Sequence, residues 1–371
     1  MKNEKQVIES LLDSAGITIN GGNPYDPQVH NEAFYTRVLR QGSLGLGESY
    51  MDGWWDCESV DQFIHRILTA DIDEKVRGDW RVLLKIGFTF ALNPNRKSKA
   101  FEIGEKHYDM GNELYEAMLD RRMTYTCGYW QDAQQLDDAQ EAKLDLVCRK
   151  IGLLPGQKVL DIGSGWGSFI GCAAEKHEAR AVGVTVSKEQ KKLADARYKE
   201  LPVETRLQDY RDVKEKFDHL VSLGMFEHVG SKNYRTFMKV AHGALEDEGL
   251  FLLHTIGSGS SIGGTEPWLE KYIFPGGMLP SMNQINKAVD GLFVVEDWHN
   301  FGADYDTTLM AWHSNFEDSW EEIKSDYDER FHRMWRYFLL VCAGAFRAQK
   351  MHLWQIVLSK NGVSGGYQPV R

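Results

Sequence analysis

Short apolar runs alternate with amphipathic segments over most of this chain of 371 residues. The apolar runs have the length and the β-branched content of buried strands. The strand candidates lie at 158–162, 180–185, 203–207, 217–223, 249–255, 292–298 and 353–359. Helical periodicity fits between most of them, notably at 187–199 and 232–244, and a longer helical insertion at about 310–348 precedes the last run. This alternation predicts an α/β fold with a seven-stranded, mostly parallel sheet and helices on both faces.

The first 92 residues have a different pattern, in which short amphipathic segments are separated by glycine-rich turns. They predict a small, mainly helical N-terminal domain over 1–92, with the Trp54-Trp55 pair in its core. Residues 93–100 are polar and marked by a proline, so they predict a linker to a larger domain over 101–371.

The formal net charge of −11 argues against nucleic acid as the main partner, because phosphate binding calls for a basic field. Five scattered cysteines without a C-x-x-C pair suit a reducing cytosol and predict no metal site. We see no secretory signal and no apolar run of membrane-spanning length. These features predict a cytoplasmic protein that is soluble or at most peripheral at a membrane.

One segment of this acidic chain, 75–99, is basic. Its basic residues are Lys75, Arg77, Arg81, Lys85, Arg96, Lys97 and Lys99. Apolar residues, among them Trp80 and Phe88, recur between them at helical spacing. A basic, aromatic-bearing amphipathic helix is typical of a membrane-surface or partner-binding segment, and an ordinary surface helix with a solvated charged face is the alternative.

The segment Val159–Ser168 predicts a cofactor site. A buried strand ends at Ile162 and is followed by a G-x-G-x-G turn and a helical pattern, so bare backbone at a helix N-terminus can face a ligand. The dinucleotide fingerprint requires G-x-G-x-x-G, whereas this chain has serine at position 168. With Asp161 two residues before the first glycine to hold an amino group, the pattern favours S-adenosylmethionine over NAD.

Polar residues also follow the later strands, at the edge where open parallel sheets gather their reactive groups. Thr185 and Gln190 stand where many methyltransferases place an acid for the ribose hydroxyls, and Ser187 with Gln190 predicts a capping box. Gln208 and Asp209 end the third strand and suit the adenine edge.

Glu227 and His254 come next to the ends of the fourth and fifth strands and form a candidate acid–base pair beside the cofactor loop. Taken singly, Glu227 also suits the cap of the helix near 232, and His254 a hydrogen-bonded core histidine. For the neighbouring His228 we expect a structural role.

Several long motifs together resemble the cyclopropane-fatty-acyl-phospholipid synthases, within the cyclopropane and mycolic acid synthase family. They are Tyr125-Thr126-Cys127-Gly128-Tyr129-Trp130, the Asp161 glycine loop, Gly224-Met225-Phe226-Glu227-His228-Val229-Gly230, His254-Thr255-Ile256-Gly257 and Cys342-Ala343-Gly344-Ala345-Phe346-Arg347. The likeness also includes 42–55, 272–275 and 301–309, and so covers essentially the whole chain.

This resemblance implies a Rossmann-like methyltransferase that methylates a cis double bond in a phospholipid acyl chain and closes a cyclopropane ring. It implies S-adenosylmethionine as methyl donor and a bicarbonate ion as base. By motif match the residues that hold the bicarbonate are Cys127, Glu227, His254, Ile256 and Tyr305. The expected cofactor residues are Tyr125, Thr126, Asp161, Gly163, Gly165, Gly167, Thr185, Gln190, Gln208, Asp209 and Leu223.

Two positions qualify this likeness. The family loop usually reads G-C-G-W-G, whereas this chain has Ser164, and both residues are small. Cys342 has a suggested catalytic role in the family, yet alkene methylation has no step that requires a thiolate. A packed small residue in an apolar helix is the alternative for Cys342.

The family likeness further implies a homodimer peripheral at the inner membrane face, with 1–92 as a lipid-docking domain. Three alternatives remain open. A related lipid methyltransferase would give methyl-branched or methylene chains, a lipid-binding protein would consume no methyl groups, and a small-molecule O- or N-methyltransferase would act without lipid.

Overall fold

The computed structural model describes residues 4–71, 111–261 and 266–371. Their contacts divide the chain into two compact units. The first, here the N-terminal unit, comprises Met1–Leu92, Ile262–Pro275 and Tyr305–Met351. The second, here the sheet unit, comprises Asn93–Ser261, Gly276–Asp304 and His352–Arg371.

The N-terminal unit is mainly helical over its described residues. Up to residue 71 its elements are α1 (Glu4–Asp13), β1 (Gln28–Val29), α2 (Ala33–Gln41), α3 (Ser43–Met51), β2 (Trp55–Asp56) and α4 (Val60–Thr69). The core forms around Trp55, which is fully buried among Phe34, Tyr50 and Phe63. Its indole Nε1 donates to the carbonyl oxygen of Leu46 over 3.1 Å, so the polar atom of this core tryptophan is satisfied.

The sheet unit begins, in the described residues, with α5 (Asn112–Met118) and α6 (Leu136–Lys150). Strands and helices then alternate. They are β3 (Lys158–Ile162), α7 (Ser168–His177), β4 (Arg180–Thr185), α8 (Lys188–Arg197), β5 (Val203–Leu207), β6 (His219–Leu223), α9 (Tyr234–Ala244) and β7 (Leu250–Ser258). The chain continues through α10 (Pro267–Tyr272), α11 (Met282–Val289), β8 (Val294–Asn300), α12 (Ala303–Ile323), α13 (Glu329–Arg347) and β9 (Met351–Ser359).

The helical insertion predicted at 310–348 forms α12 and α13. Asp328 caps α13 by accepting from the Phe331 backbone N–H over 2.7 Å, and the helix packs on α3 and α4. The contacts therefore group α13 with the N-terminal unit, whereas the sequence pattern predicts it within the domain over 101–371. The separation of docking and catalysis into two domains stays a prediction.

The predicted seven-stranded sheet is confirmed, with strand order β5-β4-β3-β6-β7-β9-β8. The pairs β3–β4, β4–β5, β3–β6 and β6–β7 are parallel, and β8–β9 is antiparallel. Strand order reverses at β3, so the carboxyl ends of β3 and β6 form the crevice where such sheets bind ligands.

The alternation of side chains along β3 explains why this strand is buried on both faces. Leu160 and Ile162 enter one apolar cluster, and Val159 enters the cluster on the opposite face. Asp161 shares a face with Val159, and because it is the second-last residue of β3 it lies near the carboxyl end of the strand. The strand thus delivers a carboxylate to the crevice.

The capping box predicted for α8 is only half formed. Ser187 Oγ accepts from the Gln190 backbone N–H over 3.3 Å, as predicted. The Gln190 side chain, however, does not return to the cap among the bonds of the described residues, because its Oε1 accepts from Thr185 Oγ1 over 2.8 Å. The Gln190 side-chain amide is therefore held near the carboxyl end of β4.

Among the described residues, none of the helices combines the length and the apolar character needed to cross a membrane. The basic segment 75–99, for which we predicted membrane or partner contact, lies outside the described residues.

Candidate active site

The glycine loop occupies the crevice between β3 and β6. Gly163 has φ of +92°, a left-handed conformation that a side chain would strain. A Cβ at this position would also lie 2.7 Å from the Met225 side chain. The N–H groups of Gly163 and Ser164 each donate to the Val184 carbonyl oxygen over 3.0 Å, which secures the loop to β4. The loop thus needs glycine at 163 for both conformation and space.

A cleft of about 1280 Å³, including its open mouth, lies over this loop. Ten of the eleven predicted cofactor residues line it: Tyr125, Thr126, Asp161, Gly163, Gly165, Thr185, Gln190, Gln208, Asp209 and Leu223. Gly167 lies outside the lining as the described residues define it, and a Cβ there would be 2.9 Å from the Tyr198 ring. We therefore assign Gly167 to the packing of the loop on α8.

Asp161 lies at the floor of this cleft. The residue is only 2% exposed, and its Oδ1 has no hydrogen-bond partner in the described part of the chain. Burial raises the pKa of the carboxyl to about 7, although the charge of Lys143 opposes the shift. A buried carboxylate oxygen without a donor is costly, and a cationic ligand group would satisfy it.

Other groups around the cleft fit a ligand with polar and apolar parts. Ser164 Oγ is also buried without a partner among the described residues, and a Cβ at Gly165 would meet open space there. These features suit the amino acid end of S-adenosylmethionine against the loop backbone. Asp209, expected at the adenine edge, accepts from the Arg211 backbone N–H (2.9 Å) and guanidinium Nη1 (2.8 Å).

Sequence reasoning missed several lining residues. They are Met123, Thr124, Ser164, Trp166, Ser168, Val184, Val186, Tyr210, Arg211, Gly224, Met225, His228 and Val229. Most of them directly adjoin a predicted residue, so extending each motif by one or two positions would have found them. His228, for which we expected a structural role, lines the cleft, and burial lowers its pKa to about 4.

Glu227 follows the carboxyl end of β6, as predicted, whereas His254 lies in the middle of β7, which is longer than predicted, and pairs with Leu223 at the end of β6. Glu227 Oε1 accepts from the Ile256 backbone N–H over 2.6 Å. Ile256 lies two residues beyond His254 on β7, which is about 7 Å along the strand. The alternative in which Glu227 caps a helix is wrong, because this carboxylate bonds to β7. Its Oε2 is buried without a partner in the described ranges, and burial raises the pKa to about 7.

The imidazole of His254 is held by a residue of the last strand. Its Nδ1 lies 3.3 Å from Nε2 of the fully buried Gln355, which donates this bond. That bond selects the tautomer with hydrogen on Nε2, an atom that finds no partner among the described residues. Burial lowers the pKa of His254 well below its usual range, so the ring is neutral near pH 7. The site therefore presents a neutral N–H donor beside a carboxyl group.

Cys127 belongs to the segment 124–128, of which residues 124–126 line the cleft. Its thiol is fully buried and donates to the Gly128 carbonyl oxygen over 3.1 Å. The preceding Thr126 packs so closely on Gly224 that a Cβ on this glycine would lie 2.6 Å from Cγ2. The Gly224 N–H in turn donates to the His254 carbonyl oxygen over 2.9 Å, so cleft and acid–base pair are contiguous.

Two further predicted residues belong to the N-terminal unit. Tyr305 is buried, with its ring 4.5 Å from that of Phe346, and its part in holding bicarbonate stays a prediction. Cys342 is buried on α13, where burial and the charge of Glu266 raise the pKa of its thiol to about 12. A thiol with that pKa is protonated near neutral pH, which favours a packing role over a nucleophilic one.

The chain is similar to known enzymes over its whole length. The family model described as mycolic acid cyclopropane synthetase matches residues 95–356. The cyclopropane-fatty-acyl-phospholipid synthase of Escherichia coli (strain K12) is 50% identical over 99% of this chain and 96% of its own length. A tuberculostearic acid methyltransferase of Mycobacterium tuberculosis is 31% identical over 95% of this chain and 88% of its own length.

Among solved structures, mycolic acid cyclopropane synthase CmaA1 in complex with SAH and CTAB superposes with a TM-score of 0.66. It is 29% identical to this chain and covers 70% of it and 98% of its own length. The family match and the identity to the Escherichia coli enzyme lead to one assignment. The chain belongs to the mycolic acid cyclopropane synthetase family and is an S-adenosylmethionine-dependent methyltransferase.

Proposed function

We propose that the protein transfers the methyl group of S-adenosylmethionine to the cis double bond of unsaturated phospholipid acyl chains and forms cyclopropane rings. The observation that carries this proposal is the 50% identity to a cyclopropane-fatty-acyl-phospholipid synthase along 99% of the chain. The π electrons of the alkene would form the new bond to the methyl carbon while the carbon–sulfur bond of the donor breaks and its electron pair stays on sulfur, which leaves a carbocation in the acyl chain. Loss of a proton from the added methyl group to a base would then let the C–H electron pair close the ring. A bound bicarbonate ion is the proposed proton acceptor.

The residues of the cleft would bind and orient the methyl donor. Asp161 Oδ1 is free among the described residues to accept from the amino group, and the Thr185–Gln190 pair suits the ribose hydroxyls. When bound, S-adenosylmethionine supplies an electrophilic methyl group. An alkene is a weak nucleophile, so these residues must hold the donor in line and exclude water.

Glu227 and His254 would hold the bicarbonate ion together with Cys127, the Ile256 backbone and Tyr305. The neutral His254 Nε2–H can donate to an anion, and Glu227 Oε2 can accept a hydroxyl proton. Both atoms are buried and unpaired within the described ranges. An anion that carries one hydroxyl group would give each of them a hydrogen-bond partner. When bound, bicarbonate supplies a proton acceptor near the lipid.

The test is to mix the protein with methyl-labelled S-adenosylmethionine and vesicles of a cis-monounsaturated phospholipid, and to analyse the acyl chains by mass spectrometry. We expect the gain of one CH2, loss of the olefin and a three-membered ring. Label in a branched or methylene chain would move the chemistry to the alternative below. Cofactor binding without label in lipid would overturn the lipid substrate.

A related lipid methyltransferase that gives methyl-branched or methylene chains is the second candidate. The 31% identity to a tuberculostearic acid methyltransferase over 95% of the chain favours it, because that likeness also covers both units. The two candidates share cofactor and lipid and differ in the fate of the cation.

We further propose a homodimer, peripheral at the inner face of the membrane, with the basic segment 75–99 as a contact. The quadruple replacement of Lys75, Arg77, Arg81 and Lys85 by Gln is expected to weaken binding to anionic vesicles at least about tenfold at low salt. The difference should shrink as salt is added, because salt screens exposed charges. Co-sedimentation with vesicles at several salt concentrations measures both effects.

The control for this variant removes the same charge elsewhere. Lys192, Lys199, Lys239 and Lys287 are exposed lysines of the sheet unit, and their joint replacement by Gln should leave vesicle binding nearly unchanged. Equal weakening by both variants would mean that net charge, and not the segment 75–99, governs binding.

Cys342→Ala is expected to keep turnover within about twofold of the wild type, because a buried thiol with a pKa of about 12 supplies no thiolate. Label transfer to lipid measures turnover, and a thermal melt reports the small loss of packing. A loss of turnover above about 100-fold, with intact folding and cofactor binding, would restore the catalytic role of Cys342.

A further inference from the structure

One acidic residue after β5 has both carboxylate oxygens engaged by a single neighbour. Asp209 is only 3% exposed and lines the cleft over the glycine loop. Its Oδ1 accepts from the Arg211 backbone N–H over 2.9 Å, and its Oδ2 accepts from Arg211 Nη1 over 2.8 Å. Arg211 therefore fixes the orientation of a carboxylate that is buried at the wall of the cleft.

Only the backbone bond is needed by the turn that follows β5. Tyr210–Asp212 form one turn of 3₁₀ helix, and Asp209 caps it by accepting from the Arg211 N–H. The guanidinium bond is additional. The Arg211 side chain, which is 17% exposed, lines the cleft with Asp209, and its Cζ lies 4.7 Å from the centroid of the Tyr210 ring. A carboxylate and an aromatic face together hold the planar guanidinium in place.

The position of Asp209 matches the base of the methyl donor. The strands β3, β4 and β5 are neighbours in the sheet, and the cleft lies over their carboxyl ends. The proposed site places the amino group at Asp161, beside β3, and the ribose at the Thr185–Gln190 pair, after β4. The Gln208 N–H donates to the Thr185 carbonyl oxygen over 2.9 Å, which joins the ends of β4 and β5. Because neighbouring strands lie about 4.8 Å apart, a donor extended across these ends would have its base beside Asp209.

We infer that Arg211 is a positioning residue that orients the Asp209 carboxylate toward the amino group at C6 of adenine and so makes the cleft selective for that base. An ionised carboxylate offers about four acceptor positions. Arg211 uses one on each oxygen, so Asp209 can still accept from the amino group. The inference rests on the proposed binding of S-adenosylmethionine and goes beyond it by naming the residue on which base selectivity depends.

The amino group of the purine supplies a readout that is specific to this role. S-adenosylhomocysteine carries that group, and the analogue with hydrogen at C6 lacks it and is otherwise the same. A hydrogen bond to a charged group changes affinity by about tenfold or more. A residue that only supports the fold alters the affinity for both ligands equally, so the ratio of the two Kd values reports the orientation of Asp209.

The experiment measures both Kd values by calorimetry on the full-length protein and its variants. The wild type should bind the analogue at least about tenfold more weakly than S-adenosylhomocysteine. For Arg211→Met we expect this ratio to fall below about threefold, because the carboxylate of Asp209 is then free to turn away from the base. Asp209→Ala sets the lower limit, with a ratio near one. The Arg211→Met variant keeps the backbone N–H and with it the cap of the turn.

Arg206→Met is the matched control, since it removes a similar ion pair from the same strand. Arg206 Nε and Nη2 each donate to the Glu204 carboxylate over 2.7 Å. Arg206 lies outside the lining of the cleft as the described residues define it. Its replacement should lower the stability of β5 and leave the ratio of the two Kd values as in the wild type.

Two results would overturn the inference alone. One is a wild-type ratio in folded Arg211→Met, and the other is an equal fall of the ratio in Arg206→Met, which would make it a general effect of a lost ion pair. If Arg211→Met does not fold, Arg211→Ala decides the test. A ratio near one in the wild type would reject adenine recognition by Asp209 and the inference with it. Failure of the wild type to bind S-adenosylhomocysteine would reject the assignment of the cleft itself.

Discussion

Glu227→Gln is expected to lower turnover about 100-fold or more while leaving the affinity for S-adenosylmethionine nearly unchanged. The amide keeps an Oε1 that can accept from the Ile256 N–H, so the local structure should survive. What is lost is the carboxyl group at Oε2, which is buried and unpaired within the described residues and proposed to hold the bicarbonate ion. Label transfer to lipid measures turnover, and calorimetry measures cofactor affinity.

The stability of this variant supplies an independent readout. Burial raises the pKa of Glu227 from 4.5 to about 7, so the folded protein binds this proton more firmly than the unfolded chain does. The stability from this group is complete below pH 4.5 and is lost as pH rises through about 7. Glu227→Gln removes that loss, so its free energy of unfolding relative to the wild type should rise by about 3 kcal/mol between pH 4 and pH 8.

Gln355→Leu serves as a control for Glu227→Gln, because it frees the His254 ring without changing a charge. It should lower turnover less than Glu227→Gln does and leave the pH dependence of unfolding as in the wild type. Normal product formation by Glu227→Gln would remove Glu227 from the reaction. Unfolding curves that do not diverge with pH would show that Glu227 is not buried as a carboxyl group of raised pKa.

Gly163→Ala is expected to weaken S-adenosylmethionine binding at least about tenfold and to lower the free energy of unfolding by about 2–3 kcal/mol. Its φ of +92° disfavours any side chain, and the added Cβ would lie 2.7 Å from Met225. The loop must then shift away from β6, which moves its N–H groups and the nearby Asp161. Calorimetry and denaturant unfolding measure the two effects.

Gly152→Ala separates strain from crowding. Gly152 also has a positive φ, +62°, but a Cβ there meets no described atom within 4 Å. This control should lose about 1 kcal/mol of stability and keep cofactor affinity. If Gly163→Ala binds the cofactor normally, the close contact between the loop and Met225 has no part in binding.

Strand positions were predictable because their signal is local. The runs at 158–162 and 180–185 coincide with β3 and β4, since a strand buried on both faces must be apolar at successive positions. The candidate at 203–207 coincides with β5, an edge strand in which only Thr205 is buried. The half-formed capping box was not predictable. Ser187 and Gln190 have the right spacing, yet Thr185 offers the Gln190 amide another partner at the sheet edge.

Most of the candidate site was predictable for a similar reason. Ten of the eleven expected cofactor residues line one cleft, because the carboxyl ends of parallel strands meet at one edge of the sheet. Gly167 was the exception, since a glycine motif does not reveal which of its members faces the ligand and which packs on the next helix.

The sequence by itself determined the order of strands and helices, the glycine loop and the residues at the strand ends, because each depends on side-chain periodicity or on backbone conformation over a few positions. Only the tertiary structure decided which distant side chains support them. Gln355 holds His254 from 101 positions away, and Lys143 and Gln140 reach Thr126 from a helix that carries no motif. Such pairs depend on strand order and on helix packing against the sheet, and these are settled by burial over the whole chain and not by any local pattern.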